Sequence, residues 1–266
     1  MHLRIAHTTR YRYDAPVDYG LQRLRLTPRE GRSQKIASWN VSTTGASVEA
    51  RYDDHFGNRV MLLNIEPGAE KLEIDVEGIV ETLDTNGIVG PHPNTLPLWL
   101  FQRQTDLTLP GSGVCGLAED LRAQDRDALG RLHALSARIM ETVAYRTGTS
   151  DAKTTAEEAL SNGSGVCQDQ THVFLSAARR LGYPARYVSG YLMMNDRIDQ
   201  EAGHAWAEAH VDGLGWVGFD VSNGISPDDR YLRVATGLDY REAAPVSGLR
   251  FGTAGESLDV AIQVQQ

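Results

Sequence analysis

The stretch Gly163-Ser164-Gly165-Val166-Cys167-Gln168-Asp169-Gln170-Thr171-His172-Val173-Phe174-Leu175 decides how the rest of the chain is read. Its glycines predict a loop, and helical spacing begins after Cys167. Apolar Val173, Phe174, Ala177, Ala178 and Leu181 recur so as to line one helix face. Gly182 and Pro184 end that helix. Cys167 therefore falls in the first turn, where backbone N–H groups lack intrahelical acceptors and the helix dipole is positive. Such placement favours thiolate over thiol, and the same N–H groups can hold an oxyanion during acyl transfer. A lone cysteine is by default a small buried apolar side chain, so partners must be found before the thiol means chemistry.

A cysteine nucleophile needs a base and a group that orients the base. Gly203-His204-Ala205-Trp206-Ala207-Glu208-Ala209-His210-Val211 predicts a strand with His204, Trp206, Glu208 and His210 on one face. After a glycine turn, Trp216-Val217-Gly218-Phe219-Asp220 predicts a second strand that ends on Asp220. As antiparallel neighbours the two strands would set His204 beside Asp220, and the helix would bring Cys167 against them. His210 has no comparable acidic strand-end partner. His172 is expected in the core, His133 beside an apolar helical stripe, and His55 in a turn. Gln168 is a candidate for the oxyanion site, with the backbone N–H of Cys167 as the safer donor. Tyr187, Tyr191, Trp206 and Trp216 are candidates to line a substrate groove, with core packing as the alternative for each.

Four ordered motifs resemble the bacterial transglutaminase-like superfamily of cysteine proteases, amidases and transferases. They are Gly165-Val166-Cys167-Gln168-Asp169, Ala185-Arg186-Tyr187-Val188-Ser189-Gly190-Tyr191, Gly203-His204-Ala205-Trp206 and Trp216-Val217-Gly218-Phe219-Asp220. Thr154-Thr155-Ala156-Glu157-Glu158-Ala159-Leu160 extends the likeness upstream. Tyr11-Arg12-Tyr13-Asp14 with Gln22-Arg23-Leu24-Arg25-Leu26-Thr27-Pro28 resembles the β-rich N-terminal domain that accompanies this core in bacteria. The resemblance implies Cys167 as nucleophile, His204 as base and Asp220 as orienting acid. One departure is Val221-Ser222-Asn223, where relatives commonly carry Pro-Thr-Asn.

Composition bounds the rest. A chain of 266 residues can hold one large domain or two modest ones. The net charge of −9 argues against general nucleic-acid binding. The first 35 residues carry eight Arg/Lys against three acids and residues 36–100 carry three against ten, which reads as solvated strand faces. Two cysteines give neither a disulfide framework nor a zinc ligand set. No apolar run approaches a membrane span, and Met1-His2-Leu3-Arg4-Ile5 lacks a signal-peptide core. The expectation is a cytoplasmic enzyme with a free catalytic thiol, needing no metal or organic cofactor and acting on a protein or peptide.

The organisation expected is α+β. Short alternating runs over residues 1–85, such as Leu3, Ile5, His7 and Thr9 against Arg4 and Arg10, predict an antiparallel β-sandwich or barrel. Asp53–Asn58 predicts a hairpin turn. Gly87, Gly90, Pro91, Pro93 and Pro97 mark a linker over 86–112. Residues 113–266 are expected to form a papain-like, transglutaminase-like core with C-terminal strands. Within it, Leu132, Leu135, Ile139 and Val143 predict a long helix, and Thr155 with Glu158 a capping box. The pentapeptide Gly-Ser-Gly-Val-Cys occurs at Cys115 and at Cys167, and Gly116 is expected to weaken a helix start at the first copy. The chemistry expected is hydrolysis of an amide through a thioester. Transfer to an amine, or peptide binding without catalysis, are the alternatives.

Overall fold

Alternation in the first third of the chain becomes a β-sandwich. A computed structural model describes residues 1–92, 95–251 and 255–266, so Pro93 of the expected linker lies outside it. The first strands are β1 (His2–Val17), β2 (Tyr19–Thr27), β3 (Gln34–Thr44), β4 (Ala46–Asp53), β5 (Arg59–Ile65) and β6 (Ala69–Thr82). Leu24, Leu63, Ile65, Leu72 and Ile74 fill the space between their two sheets. The hairpin between β4 and β5 turns as the sequence predicts. There the Asp54 carboxylate accepts from the backbone of Phe56 and Asn58, at 3.0 and 2.9 Å.

The following elements are β7 (Ile88–Gly90), α1 (Ser112–Arg122), α2 (Ala128–Thr142), β8 (Ala144–Tyr145), α3 (Ala156–Asn162), β9 (Ser164–Gly165) and α4 (Cys167–Arg180). Then come β10 (Ala185–Leu192), β11 (Asp199–Gln200), β12 (His204–Val211), β13 (Gly215–Phe219), β14 (Tyr231–Gly237), α5 (Tyr240–Ala243), β15 (Val246–Phe251) and β16 (Glu256–Gln265). A second five-stranded sheet runs β14-β10-β12-β13-β7. Ala205, Ala207 and Ala209 give β12 a low face on which α4 can sit close. Helices α1, α2 and α3 cover the other side of α4, so Val173, Phe174, Ala177 and Ala178 are fully buried. The apolar stripe read in the sequence is thus only part of what is covered.

Three expectations change. The C-terminal strands assigned to the 113–266 core belong to the sandwich: β16 pairs with β1 from Arg4↔Gln265 to Tyr13↔Glu256, and β15 pairs with β2. Without them β1 and β2 would each be an open edge. The 86–112 linker is not all connector, because β7 pairs with β13 and closes the second sheet. Phe101 packs edge-on against Trp216 at 5.0 Å and anchors the rest. Finally, Gly116 does not prevent a helix at Cys115. The Glu157 carboxylate reaches over from α3 and accepts from Gly111, Gly113 and Val114 N–H, at 3.1, 2.7 and 3.0 Å. Four orphan donors open any helix, and here a distant side chain takes three of the nearby N–H groups.

The sandwich and the β14-β10-β12-β13-β7 sheet are joined by more than apolar contact. Strand β14 is an edge, and side-chain amides stand in for the missing neighbour. Asn58 exchanges two hydrogen bonds with the Thr236 backbone, at 2.7 and 2.8 Å. Gln34 does the same with Arg233, at 2.8 and 3.0 Å. Leu3, Ile5, Tyr191, Leu232, Ile262 and Val264 close the seam between them. Among the described residues no helix is long and apolar enough to cross a membrane.

Candidate active site

The N-terminus of α4 is built by two residues on either side of the cysteine. Oδ2 of Asp169 turns back to accept from the Val166 N–H at 2.7 Å and from the Ser150 hydroxyl at 2.5 Å. This leaves the Gly165 position with no room: a methyl group there would stand 2.6 Å from the Asp169 Cβ. Gly165, Cys167 and Asp169 are therefore one device, which fixes the start of the helix and the direction of the thiol. Burial pushes the Asp169 carboxyl up, against the lowering effect of those hydrogen bonds. Cys167 is half-buried, and as the first helical residue it has a backbone N–H with no acceptor four residues back.

His204 opens β12 and Asp220 follows β13, and the two strands pair antiparallel from Ala207↔Phe219 onward. Nε2 of His204 lies 2.6 Å from Oδ2 of Asp220. An ionised carboxylate only accepts, so Nε2 carries the proton. The other ring nitrogen is left for Cys167, whose sulfur also favours the charged imidazole. Burial alone would depress the His204 pKa. The hydrogen bonds and charges of Asp220 and Cys167 outweigh that and raise it to about 10. Burial likewise pushes Asp220 up, but its bonds from His204, Asn223 and Tyr231, with the His204 charge, hold it below the usual carboxylate value.

Two of those partners carry no sequence signal of their own role. The Asn223 amide and the Tyr231 hydroxyl each donate to Oδ2 of Asp220 at 2.7 Å. Ser222, in the departure from the Pro-Thr-Asn pattern, donates to Gln170 of α4 at 2.7 Å, which ties the turn after Asp220 to the cysteine helix. Tyr145 was not legible either. Its strand β8 pairs with β9 through Tyr145↔Gly165, which sets a half-exposed phenol beside the loop before Cys167. Its pKa is raised by burial first and by the Cys167 charge second.

All four groove candidates are buried. Trp206 is buried, its ring stacked beside His204 at 6.2 Å and set edge-on to Tyr231 at 5.4 Å. It forms the back of the imidazole. Tyr187 is buried under α4 against the rings of His172 and Tyr240. Trp216 is buried beneath the Arg186 guanidinium at 4.1 Å. Tyr191 is also buried, with its hydroxyl 2.7 Å from Nδ1 of His7. Gln168 donates to the Asp151 carbonyl at 3.4 Å, so its amide holds a loop. His172 is fully buried in the core and His133 packs on Phe219, as expected. Among the described residues no three His, Cys, Asp or Glu side chains converge as metal ligands do.

Comparison with known proteins places this geometry. The transglutaminase-like superfamily model matches residues 116–221, a span that contains Cys167, His204 and Asp220. The bacterial transglutaminase-like N-terminal region matches residues 3–81. The chain belongs to the transglutaminase-like superfamily. Within it, this transglutaminase-like chain is 26% identical over 283 residues to an uncharacterised protein of Mycobacterium leprae, covering 98% of each. It is 28% identical over 290 residues to an uncharacterised protein of Mycobacterium tuberculosis, covering 98% of this chain and 91% of the other. A solved structure of a candidate cysteine protease from Cytophaga hutchinsonii superposes with a TM-score of 0.80 at 21% identity, over 100% of this chain and 90% of that one. That similarity shares the whole two-part transglutaminase-like fold, the N-terminal sandwich included.

Proposed function

We propose that this protein is a cysteine-dependent acyl-transfer enzyme that cleaves a peptide or glutaminyl amide through a thioester on Cys167. The observation that carries the reading is the His204 ring, held 2.6 Å from Asp220 and near enough to Cys167 for the sulfur to favour its charged form. A peptide-binding module would need none of the three in this arrangement.

In the mechanism, the Cys167 thiol gives its proton to the free ring nitrogen of His204, the sulfur attacks the amide carbonyl, and the developing oxyanion accepts a hydrogen bond from the Cys167 N–H. His204 gives its proton to the departing nitrogen, the C–N bond breaks, and a thioester remains. Asp220 stays ionised throughout and holds the imidazolium. Water then loses a proton to His204 and adds to the thioester, and sulfur leaves. No metal or organic cofactor enters these steps. An amine in place of water would make the same intermediate a transamidation.

A mixed peptide and glutamine-peptide library, incubated with and without a primary amine and read by mass spectrometry, tests the proposal. Hydrolysis products are expected in both incubations. Isopeptide or amine adducts in place of hydrolysis would make the enzyme a transglutaminase, and no new product in either incubation would contradict acyl transfer.

A further inference from the structure

A cavity of about 190 Å³ lies in the seam between the sandwich and the catalytic sheet. One wall comes from the sandwich, where His7, Thr9 and Tyr11 of β1 stand opposite Ile262, Val260 and Leu258 of β16 in register. The facing wall is Ser189, Gly190 and Tyr191 of β10, with Tyr240 and Val246 beside it. The exposed lip is Glu201-Ala202-Gly203, the three residues before His204. Gly190 itself pairs with His204. Helix α4 and strand β10 are joined through the tight turn at Gly182 and pack together. The end of β10 that carries Tyr191 is thereby brought to the end of α4 that carries Cys167. His204 follows directly on that lip, and the sandwich supplies about half of the cavity's lining.

The walls are largely apolar, but the floor is not. Nδ1 of His7 is 2.7 Å from the Tyr191 hydroxyl and Nε2 is 2.9 Å from the Thr9 hydroxyl. All three residues are more than nine-tenths buried. Burial drives the His7 pKa down to about 4, with Asp75 opposing, so the ring is neutral near pH 7. A neutral imidazole has one N–H. The three groups then own three protons and make two hydrogen bonds, whichever tautomer is present. One O–H, on Tyr191 or on Thr9, is always left without an acceptor in this trio. A buried donor without an acceptor is costly, and a ligand oxygen entering the cavity would relieve it.

We propose that this cavity is a side-chain pocket for the acyl donor, and that it selects a hydroxyl-tipped aromatic side chain such as tyrosine near the carbonyl under attack. This rests on the acyl-transfer reading above. The size agrees, since an apolar cavity of about 150 Å³ accepts benzene and this one has room for a ring with one substituent. The sandwich is then part of the specificity machinery, because it contributes His7, Thr9 and the β16 wall.

The test compares p-cresol with toluene, which differ by the hydroxyl alone, by calorimetric titration of the full chain. p-Cresol is expected to bind about fivefold tighter, the worth of one hydrogen bond. The shape-preserving pair Thr9→Val with Tyr191→Phe should erase that preference and keep toluene binding, with circular dichroism to check the fold. If that variant does not fold, the comparison on the unsubstituted protein still decides. Toluene binding as tightly as p-cresol, or neither binding, overturns the proposal. With matched peptide amides, turnover should favour tyrosine over phenylalanine and phenylalanine over alanine at the best position. Cleavage without that order overturns the pocket alone. Intact p-cresol binding with no amide turned over overturns the assignment to an acyl donor together with the enzyme reading.

Discussion

Tyr231 donates its hydroxyl to Oδ2 of Asp220 at 2.7 Å, the same oxygen that lies 2.6 Å from Nε2 of His204. With the Asn223 amide also there, one carboxylate oxygen collects three donors. Hydrogen bonds to the charged form lower a carboxyl pKa against burial, so Tyr231 helps keep Asp220 ionised and fixed on the imidazole.

Asp220→Asn should leave the fold intact and lower kcat/KM on an amide substrate by roughly 10³- to 10⁴-fold, because the imidazolium loses its charge partner. Tyr231→Phe removes one of three donors and should cost about tenfold. Steady-state kinetics of both variants checks this. Full activity in Asp220→Asn would remove that carboxylate from the mechanism.

Gly165→Ala should destabilise the protein by about 1–3 kcal/mol, the cost of overpacking a filled site. The added methyl would meet Asp169 at 2.6 Å and displace the carboxylate from Val166 N–H. Denaturant unfolding measures the loss. Because the same shift disturbs the start of α4, kcat should fall in the protein that remains folded. Unchanged stability and kcat would mean that Asp169 does not set the helix start.

Stability should peak near neutral pH, and the sign follows from three histidines. Burial lowers His7 to about 4 and His172 to about 3, so the folded state disfavours their protonation. Their contribution is present above the unfolded value of about 6.5 and is lost as pH falls through those two values. His204 is raised to about 10, so its contribution is full below about 6.5 and is lost as pH rises through 10. Thermal midpoints from pH 4 to pH 10 in the wild type and in His204→Ala check this. The alkaline limb should flatten in the variant, and an identical alkaline limb would show that the Asp220 and Cys167 contacts do not hold the proton.

How much of this was legible depended on whether the cause was local. The start of α4, the His204 strand and the strand ending in Asp220 each announce themselves by period and punctuation, and the structure brings those residues together. The alternation of Leu258, Val260 and Ile262 likewise marks a strand, but period gives a face and not a neighbour. Its pairing with β1 therefore could not be read. The helix at Cys115 depends on Glu157, more than forty residues away, accepting from its first N–H groups. Tyr231 reaches Asp220 only because β14 lies in the same sheet as β12. Aromatic residues near the motifs suggested a groove, yet Trp206, Tyr187 and Trp216 went to the core, where large rings bury most area.

The central claim is that Cys167 is activated by His204, and the duplicated pentapeptide provides an internal control for it. Both thiols follow Gly-Ser-Gly-Val, both are half-buried and both sit near a helix start, but Cys167 is the one that acts on the His204 imidazole. The direct measurement is the rate of iodoacetamide alkylation at each cysteine near pH 6, read by peptide mapping, in the wild type and in His204→Ala. Cys167 should react much faster than Cys115 in the wild type and slow to a comparable rate in the variant. Equal rates in the wild type, or a Cys167 rate unaffected by His204→Ala, would contradict the account.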